Sequence, residues 1–216
     1  MNIKKIISLL VIIAMICLSV VSFAACNDNG GDNAAGSNGA ENAEGEAGPE
    51  PQSFLREAAT GDRNNYGGSV GYEFEVLSDI TVSAVGRPLN GEMNRPHTIR
   101  IWEVSTQTLL ASAEVTPDSP LDALGFKTAP LNAPLMLKAG ERYRIVSSEE
   151  VDGDMWYDVG VSEDDAADLV PSNTALITTP VFTNENEWDS YPANEWNPGG
   201  IRGYVGATFY YLLTSE

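Results

Sequence analysis

Short runs of alternating apolar and polar residues follow one another from Val70 to Leu213, and Gly, Pro, Asn and Asp cluster between them. Successive side chains of a strand point to opposite faces of a sheet, so this period of two predicts strands. No segment carries a sustained apolar period of 3.6 residues, which a surface helix would need. About ten strands are predicted, at 70–76, 80–85, 98–104, 109–115, 125–129, 135–137, 143–146, 155–161, 175–182 and 204–213.

These strands predict an all-β fold, an antiparallel β-sandwich of jelly-roll-like type. Many short strands separated by turn residues at regular spacing are typical of sandwiches and barrels. Gly140, after Lys138-Ala139, stands where a tight turn requires a positive φ. We expect residues 53–216 to form this single domain, which is long enough to bury a real core.

The first 25 residues have the layout of a bacterial signal peptide. Lys4 and Lys5 precede an apolar run, Ile6–Cys17, and smaller residues follow. The run is too short for a transmembrane helix, which needs about 20 apolar residues. The tetrapeptide 23–26, Phe-Ala-Ala-Cys, resembles the lipobox, whose cysteine receives a lipid. We predict cleavage before Cys26 and a lipid anchor on it; the alternative is an ordinary signal peptide with a chance cysteine.

Residues 26–52 are predicted to form the lipidated end and a flexible acidic tether. After the cysteine, the segment contains no aromatic and no β-branched residue. Such a composition cannot bury enough apolar surface to offset the entropy of ordering. The expected location is therefore the outer side of the cell membrane, to which the N-terminal lipid attaches the protein.

Charge and residue counts exclude several kinds of function. The formal net charge is −19, and loss of the two signal lysines leaves −21. This charge argues against nucleic acid as a partner, because proteins that bind nucleic acid carry basic patches. Both cysteines fall within residues 1–26, so the domain has no disulfide and no thiolate site.

Catalytic chemistry has little support in the sequence. His97 is the single histidine, so a Ser-His-Asp triad or a histidine-rich zinc site would depend on it alone. We expect it at an exposed strand edge. Many carboxylates are present, and no pair stands out for glycoside hydrolysis. We therefore expect no enzymatic activity; a hydrolase is the less favoured alternative.

Three segments resemble a known family. They are 97–102 (HTIRIW), 108–113 (TLLASA) with the nearby Gly125-Phe126, and 134–143 (PLMLKAGERY). They are similar to the bacterial surface module called domain of unknown function number 4082, over about residues 70–148. The resemblance implies a jelly-roll-like sandwich in exported, surface-attached proteins, and it implies no catalytic residues.

The best candidate for ligand binding is the segment 184–200, which contains Asn-Glu-Trp twice and three aromatic residues. Aromatic rings stack on the apolar faces of sugars, and neighbouring polar groups bind the hydroxyls; long loops on rigid scaffolds often carry such sites. We predict a glycan or other surface ligand; the alternatives are rings buried in a satellite core and a structural or assembly lipoprotein that binds an envelope protein. The candidate residues are Trp188, Tyr191, Asn194, Glu195 and Trp196.

A second candidate is an acidic turn that would hold a structural Ca²⁺ ion. Asp152, Asp154 and Asp158 offer carboxylate oxygens, which Ca²⁺ prefers, although their spacing is not that of an EF-hand loop. The alternative is an acidic loop solvated by water. Residues 163–168 add a second acidic patch.

Overall fold

The computed structural model describes residues 49–58, 61–89, 91–159, 174–196, 200 and 203–214. The predicted signal peptide, Cys26, most of the tether and the acidic patch 163–168 lie outside these residues. Within them, no helix is long and apolar enough to cross a membrane. The strands are β1 (Gln52–Ser53), β2 (Gly68–Val76), β3 (Ile80–Pro88), β4 (His97–Glu103), β5 (Leu109–Val115), β6 (Phe126–Leu137), β7 (Arg142–Glu149), β8 (Tyr157–Val159), β9 (Ala175–Phe182), β10 (Asn194–Glu195), β11 (Gly203–Val205) and β12 (Thr208–Leu213).

The strands form two main sheets, and every pairing between them is antiparallel. One sheet has the order β1-β12-β3-β6, the other the order β10-β9-β2-β7-β4-β5, and β8 pairs with β11. The chain crosses between the main sheets from β2 to β3 to β4, and again from β5 to β6 to β7. The predicted all-β antiparallel sandwich is confirmed, and these crossings agree with a double-sheet jelly roll.

The main core lies between the two sheets and is rich in aromatic rings. Phe54, directly after β1, stacks on Phe209 of β12 with ring centroids 4.5 Å apart. Phe74 of β2, in the opposite sheet, lies 5.0 Å from the same Phe209 ring. Rings of this size bury large apolar areas, so this cluster joins the two sheets.

Two predicted divisions into strands are wrong. The predicted strands 125–129 and 135–137 are parts of one strand, β6, which begins at Phe126. Opposite them on β3, Val82 pairs with Leu135 and Ala84 with Pro130, so the chain between these partners bulges. Proline has no backbone N–H to donate to a neighbouring strand. Pro130 and Pro134, on either side of the bulge, therefore made the strand appear interrupted in the sequence.

The predicted strand 204–213 is divided in the structure into β11 and β12 at Gly206. A Cβ atom at this glycine would lie 2.6 Å from Oε1 of Glu149. The backbone therefore approaches a buried carboxylate more closely than any other residue type allows. The final count among the described residues is twelve strands, two of which have only two residues.

Candidate functional site

Residues 183–196, here called the strap, lie across the outer face of the six-stranded sheet. Outward-facing Trp102 of β4 is buried there, and its ring meets the Tyr191 ring edge-on at 5.8 Å. Arg144 of β7 donates a hydrogen bond of 2.6 Å to the carbonyl of Pro192 and forms an ion pair with Glu195. The strap thus covers a small second core outside the sandwich.

Hydrogen bonds with β7, with β2 and with Tyr66, which precedes β2, fix the strap along its length. The Trp188 indole N–H donates to the Glu149 carbonyl at 2.9 Å. The Ser69 hydroxyl donates to the Trp188 carbonyl at 2.8 Å, and the Tyr66 hydroxyl donates to the Thr183 carbonyl. These bonds hold the strap in one position against the sheet.

The strap does not gather the five predicted ligand residues in one place. Trp196 is 57% exposed at its end and lines one cavity, whereas Trp188 lines another. Tyr191 packs on Trp102 and lies 5.2 Å from the Arg144 guanidinium. The other two form β10: Asn194 donates to the Asn184 side chain at 3.1 Å, and Glu195 pairs with Arg144.

The first cavity has a volume of about 240 Å³ and is walled mainly by aromatic rings. The Trp156 and Tyr204 rings meet edge-on at 5.5 Å, and the Tyr66 and Phe182 rings meet edge-on at 5.8 Å. These contacts hold the walls rigid, because edge-to-face pairs are favourable geometries for aromatic rings. The residues that line this aromatic cavity are Arg63, Asn65, Tyr66, Val70, Trp156, Phe182, Trp196 and Tyr204.

Polar groups stand beside these rings. The Arg63 guanidinium lies 4.6 Å from the centre of the Trp156 ring and donates to Asp158 Oδ2 at 2.8 Å. Its Nε also donates to the side-chain amide oxygen of Asn65, Oδ1, at 3.1 Å. Burial raises the pKa of Asp158 above its ordinary value, and the neighbouring Arg63 lowers it only in part. The cavity therefore combines apolar ring faces with hydrogen-bonding groups.

The second cavity, here called the polar cavity, has a volume of about 290 Å³. The loop between β7 and β8 contributes to both cavities, since Asp154 lines the polar one and Trp156 the aromatic one. Trp188, Asp189 and Arg100 also line the polar cavity. One short loop therefore contributes residues to both cavities.

The family described as "Domain of unknown function (DUF4082)" matches residues 56–199, which is more than half of the chain. The chain belongs to the DUF4082 family. The match extends beyond the predicted resemblance, 70–148, in both directions and includes the strap. No curated protein matches the chain.

His97 of this DUF4082 domain is buried, with 3% of its surface exposed, so its predicted position at an exposed edge is wrong. Nδ1 lies 2.7 Å from the Ser148 carbonyl and Nε2 lies 3.0 Å from Asp154 Oδ2. Both ring nitrogens therefore face hydrogen-bond acceptors, and neither is free to serve as a general base. His97 is buried because Asp154, from the loop between β7 and β8, packs against its ring.

The three aspartates predicted to hold Ca²⁺ have separate roles in the DUF4082 domain. Asp154 accepts from the backbone N–H groups of Asn94 and Arg95, whereas Asp158 pairs with Arg63. Asp152 is exposed in the turn, at a φ of 59°. Across the described part of the chain, no group of three or more His, Cys, Asp or Glu residues could hold a metal ion. The three carboxylates are therefore not gathered in one place, and the structural Ca²⁺ ion stays a prediction.

Asp154→Asn is expected to lower the free energy of unfolding by about 1–3 kcal/mol at pH 7. Burial raises the pKa of Asp154, but hydrogen bonds from His97, Asn94 and Arg95 outweigh burial and hold that pKa below its ordinary value. This stabilisation is present above the unfolded-state pKa of about 3.9 and disappears as the pH falls through the lower folded-state pKa.

Urea unfolding of both proteins at pH 7 and pH 3 measures this effect. The difference between wild type and Asp154→Asn should shrink at the lower pH. The exposed Asp118→Asn is the control and should change little at either pH. A difference that stays constant or grows on acidification would contradict the assigned role of Asp154.

Sequence reasoning missed most of the aromatic cavity. Of its lining residues, only Trp196 is among the predicted ligand residues; Arg63, Tyr66, Trp156, Phe182 and Tyr204 are not. The one sequence signal for these residues is the position of aromatic side chains beside polar turns and strand ends. Many core residues share that position, so the signal does not single out a site. Pairing of β8 with β11 brings Trp156 to Tyr204, and that pairing is not visible in either segment alone.

Proposed function

We propose that this DUF4082 domain is a binding module that recognises a glycan in the aromatic cavity. The observation that carries the proposal is Trp196, whose large ring remains mostly exposed at the mouth of a rigid, ring-lined cavity. A concave apolar surface with a few convergent polar groups is the usual form of a small-molecule site. Large exposed rings at such a place are more typical of recognition than of packing.

The chemistry of the walls fits a sugar ring. The C–H groups on one face of a pyranose lie favourably on the negative face of an aromatic ring. Arg63 and Asn65 stand beside these faces, where they can bind ring hydroxyls. At about 240 Å³, the cavity is smaller than the ~300–1,000 Å³ of drug-sized sites. It therefore suits one sugar unit, such as the end or a side branch of a longer chain.

The proposed setting is the outer surface of the cell membrane. The signal-peptide layout and the lipobox-like 23–26 support export and a lipid on Cys26. The tether of about 26 residues would give the domain a mean reach of ~25–30 Å from the membrane. We propose no catalytic role, since the single histidine has both ring nitrogens engaged.

A lipoprotein that binds an envelope protein is the second candidate. Two apolar side chains, Leu109 of β5 and Met136 of β6, are exposed on the edge strands of their sheets. Unpaired strand edges can accept a strand from another chain. A cavity of about 350 Å³ lies beside Leu109, but no aromatic residue lines it, so it lacks a ring on which a sugar could stack. We therefore favour the glycan in the aromatic cavity.

Trp196→Ala is expected to weaken glycan binding by about tenfold or more, because a stacked ring at the centre of a site often dominates affinity. Its effect on stability should stay within about 0.5 kcal/mol, since the side chain is mostly exposed. The measurement is a tryptophan fluorescence titration of the mature chain, with Cys26→Ser to prevent lipidation. The ligands are fragments of cell-wall and plant polysaccharides.

Met136→Ala serves as the matched control, because it removes another exposed apolar side chain far from the cavity lining. It should bind the glycan as the wild type does. Equal affinities of wild type and Trp196→Ala would refute the site. A folded protein that binds no fragment, yet purifies with one envelope protein in a Met136-dependent manner, would favour the second candidate.

A further inference from the structure

The polar cavity has the components of an anion site. Trp188 forms part of its wall, and the bond from its indole N–H to the Glu149 carbonyl, 2.9 Å, fixes the ring. Two arginines, Arg95 and Arg100, line the same space. A fixed ring beside guanidinium groups offers a stacking surface and charged donors together.

Arg100 is only partly satisfied within the protein. Its side chain is 11% exposed on the outer face of β4, where Nη2 pairs with Asp189. Its Nη1 is buried and has no hydrogen-bond partner among the described residues. An unpaired buried donor is costly, and a guanidinium is best satisfied by a carboxylate that engages two nitrogens at once. Asp189 provides a contact to only one of them.

The carboxylates that now contact the two arginines can be displaced easily. Asp189 is 87% exposed, and the Arg95–Glu150 pair is about half exposed on both sides. Exposed ion pairs contribute little to stability, because water and salt compete with them. An incoming carboxylate can therefore replace Asp189 on Arg100 at small cost.

We propose that the polar cavity binds the carboxylate of an acidic sugar, with Arg100 as its two-nitrogen partner and Trp188 stacked on the sugar ring. The proposal adds a second site to the aromatic cavity, and it rests on the proposed glycan function for the class of ligand. Three carboxylates line the cavity as well: Asp189 and Glu150 pair with the two arginines, and Asp154 accepts from the backbone N–H groups of Asn94 and Arg95. The acidity of the rest of the chain does not prevent binding. Charges beyond about 8 Å are largely screened at physiological salt.

The test is an NMR titration of the mature Cys26→Ser chain with D-glucuronate and, in parallel, with D-glucose, followed at the Trp188 indole N–H. Glucuronate should shift this resonance saturably and glucose should not. Asp189→Asn should raise the affinity for glucuronate by about three- to tenfold, because it removes the competing carboxylate. Arg100→Gln should lower that affinity by about tenfold or more.

Asp189→Asn decides the case if Arg100→Gln fails to fold, since the side chain of Asp189 is exposed and loss of structure cannot strengthen binding. Equal responses to the two sugars, or a glucuronate affinity that Asp189→Asn leaves unchanged or lowers, would overturn the proposal. Failure of the aromatic site is seen separately, at the Trp196 indole. A glucuronate response at Trp188 that persists in Trp196→Ala would support the second site on its own.

Discussion

Arg87→Met is expected to lower the free energy of unfolding by about 3–5 kcal/mol, the range for removing one partner of a buried ion pair. Arg87 is 1% exposed, and its Nη2 donates to Glu149 Oε2 at 2.8 Å. The same nitrogen donates to the carbonyl of Asp154 at 3.2 Å, so Arg87 also holds the loop between the two cavities. Methionine fills similar space but leaves the Glu149 carboxylate buried without the guanidinium, with only the His97 ring nearby, at 3.4 Å.

Urea unfolding at pH 7 measures this loss. Lys138→Met is the control, because it breaks an exposed pair with Asp79 and should cost at most about 1 kcal/mol. Adding Glu149→Gln to Arg87→Met should recover part of the stability, since it removes the uncompensated charge. If Arg87→Met lowered the free energy of unfolding by less than about 1 kcal/mol, the buried Arg87–Glu149 ion pair would not have the stabilising role assigned to it.

Gly71→Ala is expected to destabilise the domain by at least ~3 kcal/mol, at or beyond the upper end for overpacking. Gly71 lies in β2, between β7 and β9 in the six-stranded sheet. A Cβ atom there would lie 1.8 Å from the backbone oxygen of Ile145 on β7. No side-chain rotation relieves such a clash, so the ladder between the two strands would have to open.

Gly67→Ala is the matched control, because its Cβ atom would meet only Val151, with the side chain at 3.5 Å and the backbone nitrogen at 3.9 Å, both ordinary contacts. This variant should unfold within about 0.5–1 kcal/mol of the wild type. Thermal unfolding by circular dichroism compares the two. Equal midpoints for Gly71→Ala and wild type would contradict the close approach of β2 and β7.

Strand positions could be predicted where one face of the strand is buried and its ends carry turn residues. The bounds predicted for β5 (Leu109–Val115) and β9 (Ala175–Phe182) are those of the structure. The predictions for β6 and for β11 with β12 were wrong. The bulge in β6 and the close approach at Gly206 depend on partners distant in the chain, Val82 and Glu149.

The candidate site was only partly predictable for the same reason. The strap was recognised because an aromatic-rich polar segment is unusual, and its rings Trp188 and Trp196 do line cavities. Their separation into two cavities follows from how the strap crosses the sheet. The sequence alone does not show that the Tyr191 ring packs against Trp102 rather than lining a cavity.

The burial of charge was least visible in the sequence. Arg144 and Glu73 face outward on β7 and β2, where alternation predicts exposure, yet the strap buries both. His97 and Asp154 are buried together although each lies in a polar stretch. Only the tertiary pairing of a loop with a strand produces these networks, and neither segment alone carries the signal.

The most direct test of glycan recognition is a ¹H–¹⁵N NMR spectrum of the four indole N–H groups, recorded during titration with a binding fragment. The four tryptophans are Trp102, Trp156, Trp188 and Trp196, and single substitutions assign their signals. A neutral glycan should shift Trp196 and Trp156, which line the aromatic cavity, and leave Trp102 beneath the strap unchanged. Saturable binding that shifts neither Trp196 nor Trp156 would contradict recognition in this cavity.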